Sequence, residues 1–275
     1  KRQYPSKHDT LLWFSKSKQW TFNKQYRPYS NATLARGLTK VKGPKYELHE
    51  HGAMLNDWWA DHSVQKILSP TAFENLKYPT QKPEALLKRI ILGHSNPGDT
   101  ILDCFSGSGT TLSVARSNQR HYIGIDQNKG AIATTMHRLF NQEREETTQA
   151  DSTLANFSIY HTQPHIEQMK AQNTTTTLKI STRTNTLEIT DFQPSGLMQM
   201  LRDENVHVAS WHTLVESVLI DPHFDGQVLR PSIVDIPARN QLVKAKYILP
   251  PNAGEIQVWV TDVLSNVHRL SVRTE

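Results

Sequence analysis

The sequence predicts an α/β fold followed by a C-terminal, mainly antiparallel β domain, and three observations predict it. The run Ile101-Leu102-Asp103-Cys104-Phe105-Ser106-Gly107-Ser108-Gly109-Thr110-Thr111 is an apolar strand that ends in an acid, turns through two glycines and enters a helix. A second apolar run, Tyr122-Ile123-Gly124-Ile125-Asp126, ends in another acid 19 residues after Gly107. Beyond residue 156 the apolar spacing changes from helical to alternating. These signals divide the chain into residues 1–150 and 151–275, with polar residues up to Asn156 marking the boundary.

Taken in chain order, the first element is His8-Asp9-Thr10-Leu11-Leu12-Trp13-Phe14-Ser15-Lys16-Ser17-Lys18, read as an apolar edge strand. Lys16, Lys18, Trp20, Lys24, Arg27 and Tyr29 interleave cations with aromatics, the pattern of a surface that contacts nucleic-acid phosphates. Residues 25–77 are irregular and rich in polar and aromatic groups. His49, Glu50, His51 and His62 lie here, but adjacent strand positions face opposite ways and no third-ligand pattern accompanies them, so no metal is expected.

The segment Tyr78-Pro79-Thr80-Gln81-Lys82-Pro83-Glu84-Ala85-Leu86-Leu87-Lys88-Arg89-Ile90-Ile91-Leu92 predicts a helix. Pro83 suits its first position, Glu84 its positive end, and Leu86, Leu87, Ile90 and Ile91 form one stripe. Asn96-Pro97-Gly98-Asp99 then turns the chain into the glycine-turn strand. A further helix is expected over 129–147, where Ala131, Ile132, Met136, Leu139 and Phe140 recur at helical spacing. In the C-terminal half, residues 177–181 and 186–190 predict a hairpin, and 242–248 with 255–263 a second one around Pro250-Pro251-Asn252-Ala253-Gly254. A short helix is expected at 211–219.

Charge follows the same division. Residues 1–150 carry 21 basic and 13 acidic side chains, a net of +8, whereas 151–275 carry a net of −3. Residues 1–50 alone hold 11 basic and 3 acidic groups. A field of this kind favours association with a polyanion without choosing a sequence. The single cysteine, Cys104, excludes an internal disulfide and is expected to pack as a small apolar residue. No apolar run reaches transmembrane length, so no membrane partner is expected, and a cytoplasmic protein of bacterial type fits.

A glycine turn leading into a helix lets backbone approach a ligand closely, and an acid about 20 residues on suits the ribose hydroxyls of an adenosine group. NAD fits poorly. A dinucleotide fingerprint wants a third glycine where this chain has Leu112, and Asp103 would repel a pyrophosphate. S-adenosylmethionine carries an ammonium, a sulfonium and an adenosine but no phosphate, so the charges suit it.

The segments YPTQKPEALLKRII and ILDCFSGSGTT, in this order and about 20 residues apart, resemble the amino-methylating DNA methyltransferases, which act on adenine N6 or cytosine N4. The late position of the glycine turn resembles the permuted β class, in the manner of type III modification subunits. The resemblance implies a Rossmann-like methyltransferase sheet, incomplete on this chain, with cofactor motifs at 78–128 and a recognition segment at 25–77. It implies that Asp103 binds the methionine ammonium, that Phe105 lies beside the cofactor, and that Gly107 and Gly109 permit close approach. Ser106, Ser108 and Thr110 would give polar contacts, Asp126 the ribose contact and Gln127 a flank for adenine, while Thr80, Lys82 and Pro83 would shape the methionine wall.

His8–Lys18 resembles the strand bordering the target-base pocket, with Trp13 or Phe14 as the residue that stacks on an extruded base. Asn56-Asp57-Trp58-Trp59-Ala60-Asp61 resembles a short family element, in which Trp58 and Trp59 either buttress the DNA face or pack as core.

No Asp-Pro-Pro-Tyr-type turn, which grips the acceptor amino group in this family, occurs in the sequence. Ile220-Asp221-Pro222-His223-Phe224 is a near match, readable as a degenerate catalytic turn or as a structural turn before Asp225-Gly226. The expectation is therefore the C-terminal part of a DNA methyltransferase, favouring adenine and belonging to a restriction-modification system. It would bind S-adenosylmethionine and double-stranded DNA, and a second polypeptide or a removed N-terminal region would carry the catalytic turn. The alternative is a non-catalytic DNA- or cofactor-binding module of the same ancestry.

Overall fold

A computed structural model of the chain describes residues 8–39, 46–67, 69, 72, 74–146, 157–160, 176–183, 185–237 and 241–273. The chain forms two compact units, Lys1–Asp103 with Thr110–Gly124, and Cys104–Gly109 with Ile125–Glu275. The boundary expected near residue 150 falls in 147–156, outside the described residues.

In the first unit the stretch 25–77 contains short elements rather than none. Strand β1 (Tyr26–Arg27) pairs antiparallel with β4 (Ala53–Met54). Helix α1 (Asn31–Arg36) starts where the Ser30 side chain accepts the Thr33 N–H, and ends at Gly37 with φ 67°. Strands β2 (Leu38–Thr39) and β3 (Tyr46–Glu47) form a ladder, and α2 (His62–Gln65) is a single turn. Residues 8–18 correct the sequence reading: they form no strand, because their backbone finds no neighbouring strand to pair with among the described residues.

Helix α3 (Glu84–His94) begins one residue later than expected, with Pro83 as its cap. Pro83 has no N–H of its own, and the Glu74 carboxylate accepts the Glu84 N–H at 2.9 Å, satisfying one donor of the first turn. The expected turn follows, closed by Asp99 N to Asn96 O (3.1 Å) and by Asn96 N to Asp99 Oδ2 (2.7 Å), with Gly98 at φ 87°. Strand β5 (Thr100–Asp103), helix α4 (Thr110–Ser117) and strand β6 (His121–Gly124) come next; β5 and β6 pair in parallel, with Leu102 opposite Ile123 and Asp103 opposite Gly124. Their inner face, Ile101 and Tyr122, packs on Ile91, Val114 and Ala115. The other face presents Leu102 and Ile123, 58% and 52% exposed. Buried Arg120 ties the end of α3 down, donating to Ser95 O (2.6 Å) and Oγ (3.0 Å).

Leu112, at the position of the absent third glycine, is buried, and its space is made from the opposite side. A Cβ on Gly124 would lie 2.4 Å from Leu112 Cδ2.

The second unit is built on helix α5 (Lys129–Glu146), capped by Asn128, whose Oδ1 accepts the Gly130 and Ala131 N–H groups. Its Ala133, Met136 and Phe140 pack with Leu219, Leu229, Val234 and Trp259. Strands β7 (Thr176–Arg183) and β8 (Thr186–Pro194) make the expected hairpin, with Asn185 at φ 55°. Helix α6 (Ser195–Asp203) follows.

Two expectations are corrected here. Residues 211–219 are a 3-10 turn (Trp211–Leu214) running into strand β9 (Val215–Asp221), whose nearly continuous burial belongs to an inner strand. The second hairpin does not form. Strand β11 (Lys246–Ile248) joins β8, giving the order β11-β8-β7, while β12 (Glu255–Asp262) lies between β9 and β13 (Val267–Arg273), with β10 (Ile233–Asp235) outermost beside β9. Strand β12 is buried along seven consecutive residues, so it needs a partner on each side.

Between α5 and β9, His137 Nε2 lies 3.8 Å from Glu216 Oε1, too far for a hydrogen bond, and has no other partner among the described residues. Burial dominates and pushes the imidazole pKa down from 6.5 to about 4. Burial also raises the Glu216 carboxyl, ahead of the opposing Ser265 hydrogen bond. The depressed His137 pKa gives stability that is full above pH 6.5 and is lost as pH falls toward 4; Glu216 has the opposite trend, losing its contribution as pH rises above 4.5. Between pH 7 and 5 the wild-type chain is therefore expected to lose about 1–2 kcal/mol more than His137→Gln, measured by urea unfolding. Equal losses would show that the folded chain already holds the imidazolium.

Candidate functional site

The glycine turn, Cys104–Gly109, belongs to the second unit and is held there from three directions. Ser106 N donates to Ile125 O at 3.0 Å, and Gly107 N to the Asp126 carboxylate at 2.8 Å. The other Asp126 oxygen accepts the Asn128 N–H at 2.8 Å. From α5, Thr135 Oγ1 donates to Gly107 O (3.0 Å) and Arg138 Nη1 to Ser108 O (3.2 Å). Gly109 N closes the turn onto Ser106 O at 2.8 Å. Gly107 and Gly109 both have positive φ, 51° and 71°, and a Cβ on Gly109 would meet Thr135 at 2.7 Å. The backbone thus favours glycine at 107, and at 109 both the backbone and the close approach of Thr135 call for it.

Ser106, Ser108 and Thr110 are buried, and the Ser106 hydroxyl has no hydrogen-bond partner among the described residues. A buried hydroxyl without a partner is costly unless a ligand supplies one. Phe105 instead projects its ring into solvent, 90% exposed. Cys104 is exposed too, not packed as the sequence suggested, because a strand that has just ended no longer covers its next residue. Asp126 has its carboxylate committed to the turn, and Gln127 beside it is exposed.

In the first unit, Asp103 ends β5 opposite Gly124. Thr80 is exposed and has φ 64°, a strained value for a β-branched residue, with its hydroxyl donating to Pro79 O at 2.5 Å. Lys82 is exposed and Pro83 buried at the start of α3.

Of the aromatic candidates, Trp13 packs edge-on against Trp20 (5.5 Å) and tilted on His94 (6.1 Å), whereas Phe14 is 83% exposed. Lys16, Lys18, Lys24 and Arg27 are exposed, and the Tyr29 hydroxyl accepts the His49 N–H. The His49 ring stacks on Tyr26 at 4.7 Å. Buried Asp221, the acid of the near-match turn, accepts the N–H groups of His223 (3.0 Å) and Arg230 (2.7 Å), which makes it a structural turn residue.

Sequence reading missed Thr135 and Arg138, which reach the turn from 28 and 30 residues away. Asn128, before the start of α5, did carry a signal in its residue type, that of a cap.

A glycine turn held by an acid two residues past the following strand and pinned by side chains of a helix is an arrangement that nucleoside-binding α/β folds use. Comparison with known proteins narrows this. Residues 1–137 match the family model described as DNA methylase, and this segment belongs to that family, as the resemblance of its two motifs indicated. The type II methyltransferase M1.MboII of Moraxella bovis is 36% identical over 138 residues, covering 46% of this chain and 52% of that protein. The DNA adenine methyltransferase YhdJ of Escherichia coli (strain K12) is 38% identical over 141 residues, 50% of this chain and 47% of that protein. The chain spans about half the length of these curated relatives. Among solved structures, the M1.HpyAVI-SAM complex aligns at 33% identity over 44% of each chain, with a TM-score of 0.27.

Proposed function

We propose that the chain binds S-adenosylmethionine and double-stranded DNA as the C-terminal part of a DNA amino-methyltransferase, with adenine N6 as the favoured acceptor. The observation that carries the reading is the turn itself: two left-handed glycines, a carboxylate on the turn backbone, and the unpartnered Ser106 hydroxyl. These residues fit the cofactor. Its chemistry when bound is transfer of the sulfonium methyl group. Asp103 receives the ammonium, Asp126 the ribose hydroxyls on lone pairs beyond those the turn uses, and the Ser106 hydroxyl gains its missing partner. Phe105 and Gln127 flank the adenosyl group; Thr80, Lys82 and Pro83 border the methionine part; Ser108 and Thr110 complete the polar shell.

The family match over 1–137 and the +8 charge of residues 1–150 support a DNA substrate. On this reading Lys16, Lys18, Lys24 and Arg27 meet phosphates, Trp20 and Tyr29 support them, and Trp13 or Phe14 stacks on the extruded base. The β5–β6 pair is the part of a Rossmann-like sheet that this chain contributes. Parallel sheets are ordinarily covered on both faces, so the bare Leu102–Ile123 face supports completion by a segment that also brings the catalytic turn. The setting is a cytoplasmic restriction-modification system.

Titration of the purified chain with S-adenosylmethionine and with NAD tests the cofactor half: binding of the first and not the second is expected, and the reverse would overturn it. Methyl incorporation into DNA is expected only after a polypeptide bearing an Asp-Pro-Pro-Tyr-type turn is added. Robust transfer by the chain alone would overturn the divided arrangement.

A further inference from the structure

We propose that a cleft in the first unit, which shares no residue with the cofactor turn, receives one nucleotide of the bound DNA, its base against the Trp58 indole and its phosphate on the Arg27 guanidinium. This rests on the DNA reading above, which already places Arg27 on a phosphate, and adds to it the cleft and the base contact at Trp58. The cleft holds about 100 Å³ and is lined by Arg27, Asn56, Trp58, Trp59, Asp61 and Arg89, among others. That space suits a flat base, with sugar and phosphate left at the rim.

Its two tryptophans differ in a way that core packing does not explain. Trp59 is fixed: its Nε1 donates to Asn56 O at 2.9 Å, and the Arg89 guanidinium lies 5.2 Å from its ring. Trp58, next in the chain, is 72% exposed and offers an open indole face. The two arginines differ likewise. Arg89 is neutralised by Asp61 at 2.8 Å, and both hold the wall in place. Arg27 is exposed and, among the described residues, has no carboxylate within ion-pair distance.

Position reinforces the contrast. Arg27 sits on the β1–β4 ladder, and Gly52 lets the neighbouring turn close on it, since a Cβ there would lie 2.3 Å from Arg27 O. The cleft therefore combines a fixed aromatic wall, an open aromatic face, an uncompensated cation and the Asn56 amide. An aromatic ring carrying a phosphate answers all four.

The test measures binding of a labelled duplex oligonucleotide to the full chain by fluorescence anisotropy, with S-adenosylmethionine present. Trp58→Ala is expected to weaken binding about tenfold, while Trp58→Phe, which keeps a stacking ring, stays within about threefold. Arg27→Gln is expected to lower the slope of log affinity against log salt by about one. Cofactor affinity should not change in any of the three, which also reports that the variants fold. Wild-type DNA affinity in Trp58→Ala would overturn the cleft assignment and leave the wider reading standing. A wild-type chain that binds cofactor but no duplex would overturn the DNA reading, and the cleft with it.

Discussion

Replacing Gly109 with alanine is expected to destabilise the chain by about 3 kcal/mol in urea unfolding, of which roughly half is backbone strain and half crowding. The strain follows from φ 71°, a left-handed value that costs an alanine free energy and a glycine almost none. The crowding follows from Thr135, whose Cγ2 and Oγ1 would both lie 2.7 Å from the new Cβ. Thr135 cannot simply rotate away, because its hydroxyl donates to Gly107 O. The double variant Gly109→Ala/Thr135→Ser removes the methyl and keeps the hydrogen bond, so it should recover about 1 kcal/mol of the loss. If the single variant is as stable as wild type, the turn does not adopt this conformation.

Asp126→Ala is expected to weaken S-adenosylmethionine binding by on the order of a hundredfold, and Asp126→Asn by about tenfold, in calorimetric titration. Alanine leaves the Gly107 and Asn128 N–H groups without an acceptor and removes the ribose contact at the same time. Asparagine keeps one oxygen and a similar shape, so it can hold one of the two backbone donors. Equal affinities for wild type and Asp126→Ala would exclude a ribose role for this carboxylate.

What the sequence made legible was local. Helix α3, the Asn96–Asp99 turn, β5, α4, β6 and α5 each announce themselves through apolar spacing, glycine placement and end residues within a few positions, and each forms nearly where expected. The family of residues 1–137 was legible for the same reason, since two contiguous motifs carry it. Partnership across distance was not legible. Strand β12 reads as one arm of a hairpin because the Pro250–Gly254 turn precedes it, yet its partners are β9 and β13. His8–Lys18 has the apolar content of a strand, and what decides against one is the lack of a pairing neighbour among the described residues. Thr135 and Arg138 hold the glycine turn through single side chains on a helix whose periodicity reports only its buried stripe.

Leu112 and Gly124 make one steric unit, a branched side chain seated where the facing strand has none. Dinucleotide-binding loops obtain a short helix-to-strand distance by omitting the side chain on the helix; here the omission has moved across to the strand. The two positions should therefore vary as a pair among relatives, any gain of bulk at 124 being matched by loss of bulk at 112, and a swap such as Leu112→Gly with Gly124→Leu should be tolerated better than either change alone.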